Sequence, residues 1–182
     1  MVSKSAPKLI KVNTNLMQPD SSLKRNCPVK PPRRGLYGIT DDGLLPENTL
    51  LAGVKMALDN GLSLLRYRAK LILSPQAALS LKQLLVLCEA YCVPLLINDN
   101  PQLCLEVGAH GAHLGQSDGS VAKTRRMLGH DAIIGVTCHS SLDKALAAQQ
   151  ESADYVAFGR FLPSQTKPSA APADVSILAT AC

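Results

Sequence analysis

Two aspartates stand where strand-like apolar runs give way to polar residues, and their chemistry suits a divalent cation. Asp99 directly follows the run L-L-I-N, and Asp118 lies four residues beyond G-A-H-L. If these runs are adjacent parallel strands, about 5 Å apart, the two carboxylates can meet at one edge of a sheet. Two carboxylates ~4 Å apart repel by about 4 kcal/mol at an effective dielectric constant near ~20, and Mg²⁺ would offset that repulsion with oxygen ligands and waters. The alternative is that both are local caps, Asp99 before Asn100–Pro101 and Asp118 in an S-D-G turn.

A row of basic residues lies near these acids in the predicted sheet. Arg66, Arg68 and Lys70 alternate with a period of two, which places them on one face of a strand and its exit. An inward row of cations needs an anionic partner. A further lysine ends the segment S-Q-T-K (164–167), whose hydroxyl groups add donors. With a metal held by the acids, these groups are suited to bind a diphosphate. The alternative is that the cations pair with loop carboxylates.

The elements that must position these side chains alternate between strands and helices. Short apolar runs predict six strands, at 36–40, 62–68, 94–98, 111–114, 132–138 and 154–158. Helix-period segments lie between them, at 48–60, 74–91, 101–107, 121–128 and 142–151. The helix at 74–91 has serine at its predicted N-cap and proline at its first position. This βα alternation predicts a parallel α/β sheet.

Two architectures fit such a sheet, an open doubly wound sheet or a (β/α)₈ barrel. No G-x-G-x-x-G segment follows any predicted strand, so a dinucleotide-binding unit lacks its phosphate turn. Polar clusters instead follow most of the strands, and in a barrel all strand carboxyl ends meet at one mouth. The pattern favours the barrel. We expect His113 to orient a loop at this rim, and we expect His110 to face the opposite side of the strand.

Composition limits the remaining possibilities. The chain has 182 residues, of which 46% are hydrophobic, as expected for one globular domain. Its net charge of +5 arises in residues 1–34, which hold eight basic residues and one acidic residue. We expect 1–34 to be a disordered basic extension and 35–182 to be the domain. Aromatic residues make up only 3%, and no apolar run approaches the roughly 18 residues of a membrane span. We therefore expect a cytoplasmic protein with reduced thiols that binds neither nucleic acid nor membrane. The alternative is that the basic extension binds nucleic acid with an affinity that depends on salt.

Seven segments of the domain, taken in order, resemble the thiamine-phosphate synthase family. They are G-L-Y-G-I-T-D (35–41), L-L-R-Y-R-A-K (64–70), L-L-I-N-D-N (95–100), G-A-H-L-G-Q-S-D (111–118), I-I-G-V-T-C-H-S (133–140), A-D-Y-V-A-F-G-R-F (153–161) and S-Q-T-K-P (164–168). The resemblance implies a (β/α)₈ TIM barrel. It also implies a transferase that joins hydroxymethylpyrimidine diphosphate to hydroxyethylthiazole phosphate and releases diphosphate.

The resemblance also implies roles for individual residues. Asp99 and Asp118 would bind Mg²⁺. The groups expected to bind substrate are Arg66, Tyr67, Arg68, Ala69, Lys70, Asn98, Thr137, Ser164, Gln165, Thr166 and Lys167, of which Arg68, Lys70 and Lys167 are expected to be catalytic. Within this set, Ser164, Gln165 and Thr166 would lie against the thiazole phosphate. Arg66 and Ala69 depart from the family pattern, which has glutamine and an acidic residue at these positions.

Only 14 residues follow Pro168. We therefore expect about six βα units without strands seven and eight, and an activity reduced by their absence. Two further hypotheses stay open at the level of sequence. One is a relative resembling thiazole tautomerase, and the other is a ligand-binding remnant without turnover.

Overall fold

A computed structural model of the chain describes residues 30–68, 75–115, 117–163 and 171–181, with the side chains of Pro75 and Gln76 excepted. Within these residues the strands are β1 (Leu36–Ile39), β2 (Leu62–Tyr67), β3 (Leu95–Asn98), β4 (Gly111–Leu114), β5 (Ile133–His139) and β6 (Tyr155–Phe158). The helices are α1 (Glu47–Asp59), α2 (Pro75–Ala90), α3 (Pro101–Val107), α4 (Val121–Leu128), α5 (Leu142–Gln150) and α6 (Ser176–Ala181). Residues 1–29 of the predicted extension, and the predicted N-cap Ser74, lie outside the described residues.

The six strands form one parallel sheet in sequential order, β1 to β6, with a helix between each strand and the next. Every neighbouring pair is parallel. This order and direction are those of a barrel wall, because a doubly wound sheet reverses its strand order at a switch point. The prediction of an incomplete (β/α)₈ barrel with six βα units is therefore confirmed.

Local sequence signals set several helix boundaries. The side chain of Asn100 accepts a hydrogen bond from the Leu103 N–H, and Pro101 occupies the first turn of α3. Ser120 and Ser141 cap α4 and α5 in the same way. Gly108 ends α3 in the left-handed conformation, with φ of 74°, which glycine adopts without steric cost.

Residues of β2, β3 and β4 that face the helices form the main hydrophobic core. Leu65, Leu95 and Ile97 pack there with Leu84 and other apolar residues of α1 and α2. In α1 the buried residues are Leu50, Val54 and Leu58, whose spacing of four is that of one helical face. No helix in the described part of the chain is long and apolar enough to cross a membrane. The expected cytoplasmic location stays a prediction.

The other face of the sheet curls around a second, smaller interior. Leu64, Leu96 and Ile133, from β2, β3 and β5, pack there against Tyr37 and Tyr155. The hydroxyl oxygens of these two tyrosines, on the first and last strands, are 2.8 Å apart. Side chains of a flat six-stranded sheet could not meet across it, because four strands lie between them and adjacent strands are about 4.8 Å apart. The sheet is thus a curled half-barrel with an inner and an outer face.

The cysteines meet the expectation of reduced thiols at three positions. Cys88, Cys104 and Cys138 are buried and free. Burial raises the pKa of Cys88 to about 12 and that of Cys104 to about 11, so both stay protonated at neutral pH. The expectation is wrong at Cys92, which lies in an exposed turn after α2 and is disulfide-bonded.

Candidate active site

The alternation of side chains along the strands selects which predicted residues face the barrel interior. Leu64 and Leu96 face inward, so Arg66 and Asn98, two residues further along β2 and β3, share that face. Asn98 pairs in register with His113 of β4, which places His113 on the same inner face. Side chains from several neighbouring strands therefore converge near the carboxyl ends of the strands, where barrel enzymes place their chemistry.

A chain of hydrogen bonds crosses this interior from β5 to β1. The Thr137 hydroxyl lies 2.8 Å from Nε2 of His113, and Nδ1 of His113 lies 2.7 Å from the Tyr155 hydroxyl. The Tyr155 hydroxyl in turn lies 2.8 Å from that of Tyr37. Burial raises the pKa of both tyrosines, so the phenols stay protonated. The ring of Tyr155 lies directly against Gly135, where the Cβ of any other residue would overlap it.

His113 lies in the barrel interior, and its expected role in orienting a rim loop stays a prediction. The side chain is only 1% exposed and lies inside the barrel, where it holds the Thr137 hydroxyl. His110 lies elsewhere, just before β4, and its Nδ1 accepts a hydrogen bond from the Leu95 N–H. The two histidines face different neighbours, as their spacing predicted.

The two predicted metal ligands approach one point beside Gly115. A Cβ built at Gly115 would lie 2.7 Å from Oδ2 of Asp118 and 3.6 Å from Oδ1 of Asp99. Those two oxygens are therefore at most 6.3 Å apart, the sum of the two distances. The Gly115 N–H donates to Asp118 Oδ2 at 2.6 Å, and Nδ2 of Asn98 donates to Asp99 Oδ2 at 2.6 Å. The tertiary structure thus brings both carboxylates close together. Because Gly115 has no Cβ, the space between them is not filled by its side chain.

The alternative that Asp99 caps a helix does not fit this geometry. Asn100, not Asp99, accepts the hydrogen bond at the N-terminus of α3. Asp99 has a positive φ of 60°, and its backbone N–H donates to the His113 carbonyl at 2.8 Å. A left-handed residue at a strand end turns the chain away sharply, and such backbone strain is common at functional sites. Asp118 does lie in the turn that the sequence indicated, where the Ser117 hydroxyl donates to its Oδ1.

Arg66 of β2 and Arg68, which directly follows that strand, occupy different environments. Arg68 lies at the strand end, where one guanidinium nitrogen is 3.2 Å from Oδ2 of Asp41. For Arg68, pairing with a loop carboxylate is therefore observed. Arg66 lies deeper, 9% exposed, with its guanidinium 5.8 Å from the centre of the Tyr37 ring. Its Nε has no hydrogen-bond partner among the described residues.

Tyr67, between these arginines, faces the other way. It is 7% exposed and belongs to the core between sheet and helices. Burial raises the pKa of its phenol. Its side chain cannot reach a ligand in the barrel interior, so only its backbone remains available for the predicted substrate contact. The other predicted site residues lie outside the described residues: Ala69, Lys70, Ser164, Gln165, Thr166 and Lys167.

Known proteins resemble this chain in sequence and in fold. The sequence profile of the thiamine monophosphate synthase family matches residues 36–182. The chain belongs to this family. It is 49% identical over 149 residues to thiamine-phosphate synthase of Marinobacter nauticus, with 82% of this chain and 67% of the relative covered. It is 45% identical to that of Alcanivorax borkumensis, with 81% and 68% covered.

A solved structure shares the fold. Thiamine phosphate pyrophosphorylase from Pyrococcus furiosus superimposes with a TM-score of 0.60 at 29% identity, over 72% of this chain and 63% of that protein. The chain thus spans about two thirds of the length of these relatives. The family resemblance seen in the sequence, and the transferase class that it implies, are confirmed. The tautomerase alternative is not favoured, because the curated relatives carry the synthase name.

Sequence reasoning did not assign functional roles to Tyr37 and Tyr155, and it did not predict the interior hydrogen bonds of His113. Each lies in a segment that carries the family resemblance, at an inward position of its strand. A signal was available, because paired residues of neighbouring strands face the same side of a sheet. The inward positions of β2 and β3 therefore indicate which positions of β4 and β6 face inward. What the sequence could not supply was the curl of the sheet, which brings the side chains of Tyr37 on β1 and Tyr155 on β6 into contact.

Proposed function

We propose that this chain condenses hydroxymethylpyrimidine diphosphate with hydroxyethylthiazole phosphate to give thiamine phosphate and diphosphate, with Mg²⁺ as cofactor. The observation that carries the proposal is the approach of Asp99 and Asp118 to one point beside Gly115, at the carboxyl ends of β3 and β4. Family membership supplies the reaction, and these carboxylates supply a site suited to a metal-bound diphosphate.

The residues present fit Mg²⁺. Mg²⁺ prefers oxygen ligands, keeps several waters and is often held by one or two carboxylates together with substrate phosphates. The described residues contain no group of three or more histidine, cysteine or acidic side chains that could hold a metal. These residues therefore do not supply a full set of protein ligands. Asp99 and Asp118 instead suit a metal ion whose remaining ligands come from the substrate and from water. When bound, Mg²⁺ would neutralise charge on the diphosphate.

The chain's own groups then bind and orient the leaving group. Arg68 presents a guanidinium at the end of β2, which suits bidentate contact with phosphate oxygens. Asn98 orients the Asp99 carboxylate, and His113 holds the Thr137 hydroxyl for a substrate contact. In the family the diphosphate departs before the thiazole nitrogen attacks the pyrimidine methylene carbon. Stabilising the departing charge is therefore the main catalytic task, and preorganised donors perform it well. Roles for Lys70, Ser164, Gln165, Thr166 and Lys167 in binding stay predictions.

The test is product formation by the purified 182-residue chain, together with calorimetry of pyrimidine diphosphate binding with and without Mg²⁺. Asp99→Asn keeps the shape of the side chain but removes its charge, and it should lower turnover about 10²–10³-fold, the usual effect of losing one preorganised contact. Asp59→Asn is the matched control, since Asp59 pairs with Lys55 on the exposed surface of α1. The expectation that turnover is below that of the longer relatives stays a prediction that the same assay checks. Binding that does not depend on Mg²⁺, or equal turnover in both variants, would contradict the proposal.

A further inference from the structure

Asp41 holds Arg68 at the mouth of the barrel. It lies two residues beyond the end of β1, beside the end of β2, and its Oδ2 is 3.2 Å from a terminal nitrogen of the Arg68 guanidinium. The two side chains are 22% and 17% exposed, so the pair lies at the edge of the site, partly shielded from water.

The carboxylate is itself fixed in place. Its other oxygen, Oδ1, accepts a hydrogen bond from the Gly43 N–H at 3.0 Å. The Asp41 carbonyl accepts from the N–H groups of Leu44 and Leu45, which closes the turn before α1. Such a turn, in which an aspartate bonds the backbone two residues on, restricts its side chain. Oδ2 is therefore presented to Arg68 from a rigid support.

Thr40 fixes the other end of the arginine. Its hydroxyl accepts a hydrogen bond from the Arg68 N–H at 2.9 Å and lies 3.4 Å from the Arg68 carbonyl oxygen, to which it donates. The Thr40 N–H donates to the carbonyl of Arg66. The threonine is 4% exposed, so solvent does not compete for these bonds. The backbone of Arg68 and its guanidinium are thus both held by consecutive residues of the segment I-T-D.

We propose that Asp41 is a positioning residue, which fixes the Arg68 guanidinium in the orientation that receives the diphosphate of the substrate. This inference rests on the proposed function. A free arginine side chain has high rotamer entropy, which a ligand must remove when it binds. Asp41 removes much of that freedom in advance. It engages one terminal nitrogen, and the guanidinium has five N–H donors, so others remain for phosphate oxygens.

The opposing effect of charge makes the inference testable. An acid beside an anion site also repels the anion, so a purely electrostatic role predicts that removing Asp41 strengthens diphosphate binding. A positioning role predicts the opposite. The next residue, Asp42, is exposed and carries the same charge, so Asp42→Ala reports the effect of charge without the orienting contact.

The experiment measures the Kd of inorganic diphosphate with Mg²⁺ by calorimetry, and KM and kcat for the pyrimidine diphosphate. Relative to Asp42→Ala, we expect Asp41→Ala to bind diphosphate about fivefold more weakly, the order expected for freezing one long side chain on binding. Asp41→Glu should recover part of the loss. In an Arg68→Lys background, where the planar guanidinium is absent, Asp41→Ala should have little further effect on the Kd of diphosphate. This non-additivity would not arise from a merely structural role.

Three outcomes would overturn the inference. Diphosphate binding by Asp41→Ala that equals or exceeds that of Asp42→Ala would do so while leaving the proposed function intact. An equal loss in the Arg68→Lys background would show that Asp41 does not act through Arg68. Failure of the unmodified chain to bind diphosphate with Mg²⁺ would remove the proposed function as well, which distinguishes the two failures.

Discussion

Replacing Tyr155 by phenylalanine removes the hydroxyl that joins the two halves of the interior hydrogen-bond chain. That hydroxyl lies 2.7 Å from Nδ1 of His113 and 2.8 Å from the Tyr37 hydroxyl. Each bond contributes about 1 kcal/mol net, and a buried group left without a partner costs about 1–3 kcal/mol. His113 is only 1% exposed, so water cannot replace the lost partner. We expect Tyr155→Phe to lower the free energy of unfolding by about 2–4 kcal/mol.

The companion variant Tyr37→Phe sharpens this prediction. It removes the bond to Tyr155 but leaves the Tyr155 hydroxyl with His113, so we expect a smaller loss, of about 1 kcal/mol. For a domain of this size each kcal/mol lowers Tm by about 2–4 °C. Thermal and urea unfolding, followed by circular dichroism, would measure both. Tyr91→Phe is the control, because its hydroxyl binds the exposed Asp59 on the surface.

The result that would refute this reasoning is an equal loss of stability in Tyr37→Phe and Tyr155→Phe. Equality would mean that the histidine bond contributes nothing, and hence that the chain from β5 to β1 is not continuous. A loss in Tyr155→Phe no larger than that in Tyr91→Phe would have the same meaning.

Two further predictions concern pH and packing. Burial lowers the pKa of His110, whose neutral ring accepts a hydrogen bond from the Leu95 N–H. The unfolded chain therefore binds a proton at His110 more readily than the folded chain does. The free energy of unfolding should fall as the pH drops below about 6.5, with a slope of at most about 1.4 kcal/mol per pH unit. Urea unfolding at several pH values should show that His110→Gln reduces this slope, whereas His130→Gln retains it because His130 is exposed. Equal slopes in the unmodified chain and both variants would contradict the prediction. Gly111→Ala should prevent native folding, because the new Cβ would overlap the backbone of β5; a native circular dichroism spectrum and an unchanged Tm would show that the two strands are not so close.

Much of the fold could be predicted from the sequence because its signals are local. Apolar runs located all six strands, and the bounds differ from those of the structure by no more than a few residues. Capping chemistry at Ser120 and Ser141 marks the beginnings of α4 and α5. The period-two argument correctly placed Arg66 on the inner face, since side-chain alternation is fixed by the pleat of a strand.

The candidate site was predicted less completely. Asp99 and Asp118 could be singled out, because each follows a strand within a few residues and parallel strands present their carboxyl ends together. The contact of His113 with Tyr155 was not predicted, because nothing in the segment of His113 shows that β4 packs it against β6. The contact of the Asp41 carboxylate with Arg68 was not predicted, since it joins positions 27 residues apart.

The sequence by itself determined the alternation of strands and helices, the acids and bases available at the strand ends, and the family to which they belong. These depend on residue type and spacing along one chain segment. Tertiary structure alone decided that the first and last strands approach, that Asp99 and Asp118 meet beside Gly115, and that Tyr155 links His113 to Tyr37. The physical reason is that sheet curl and register arise from packing summed over all six strands, and no single segment carries that information.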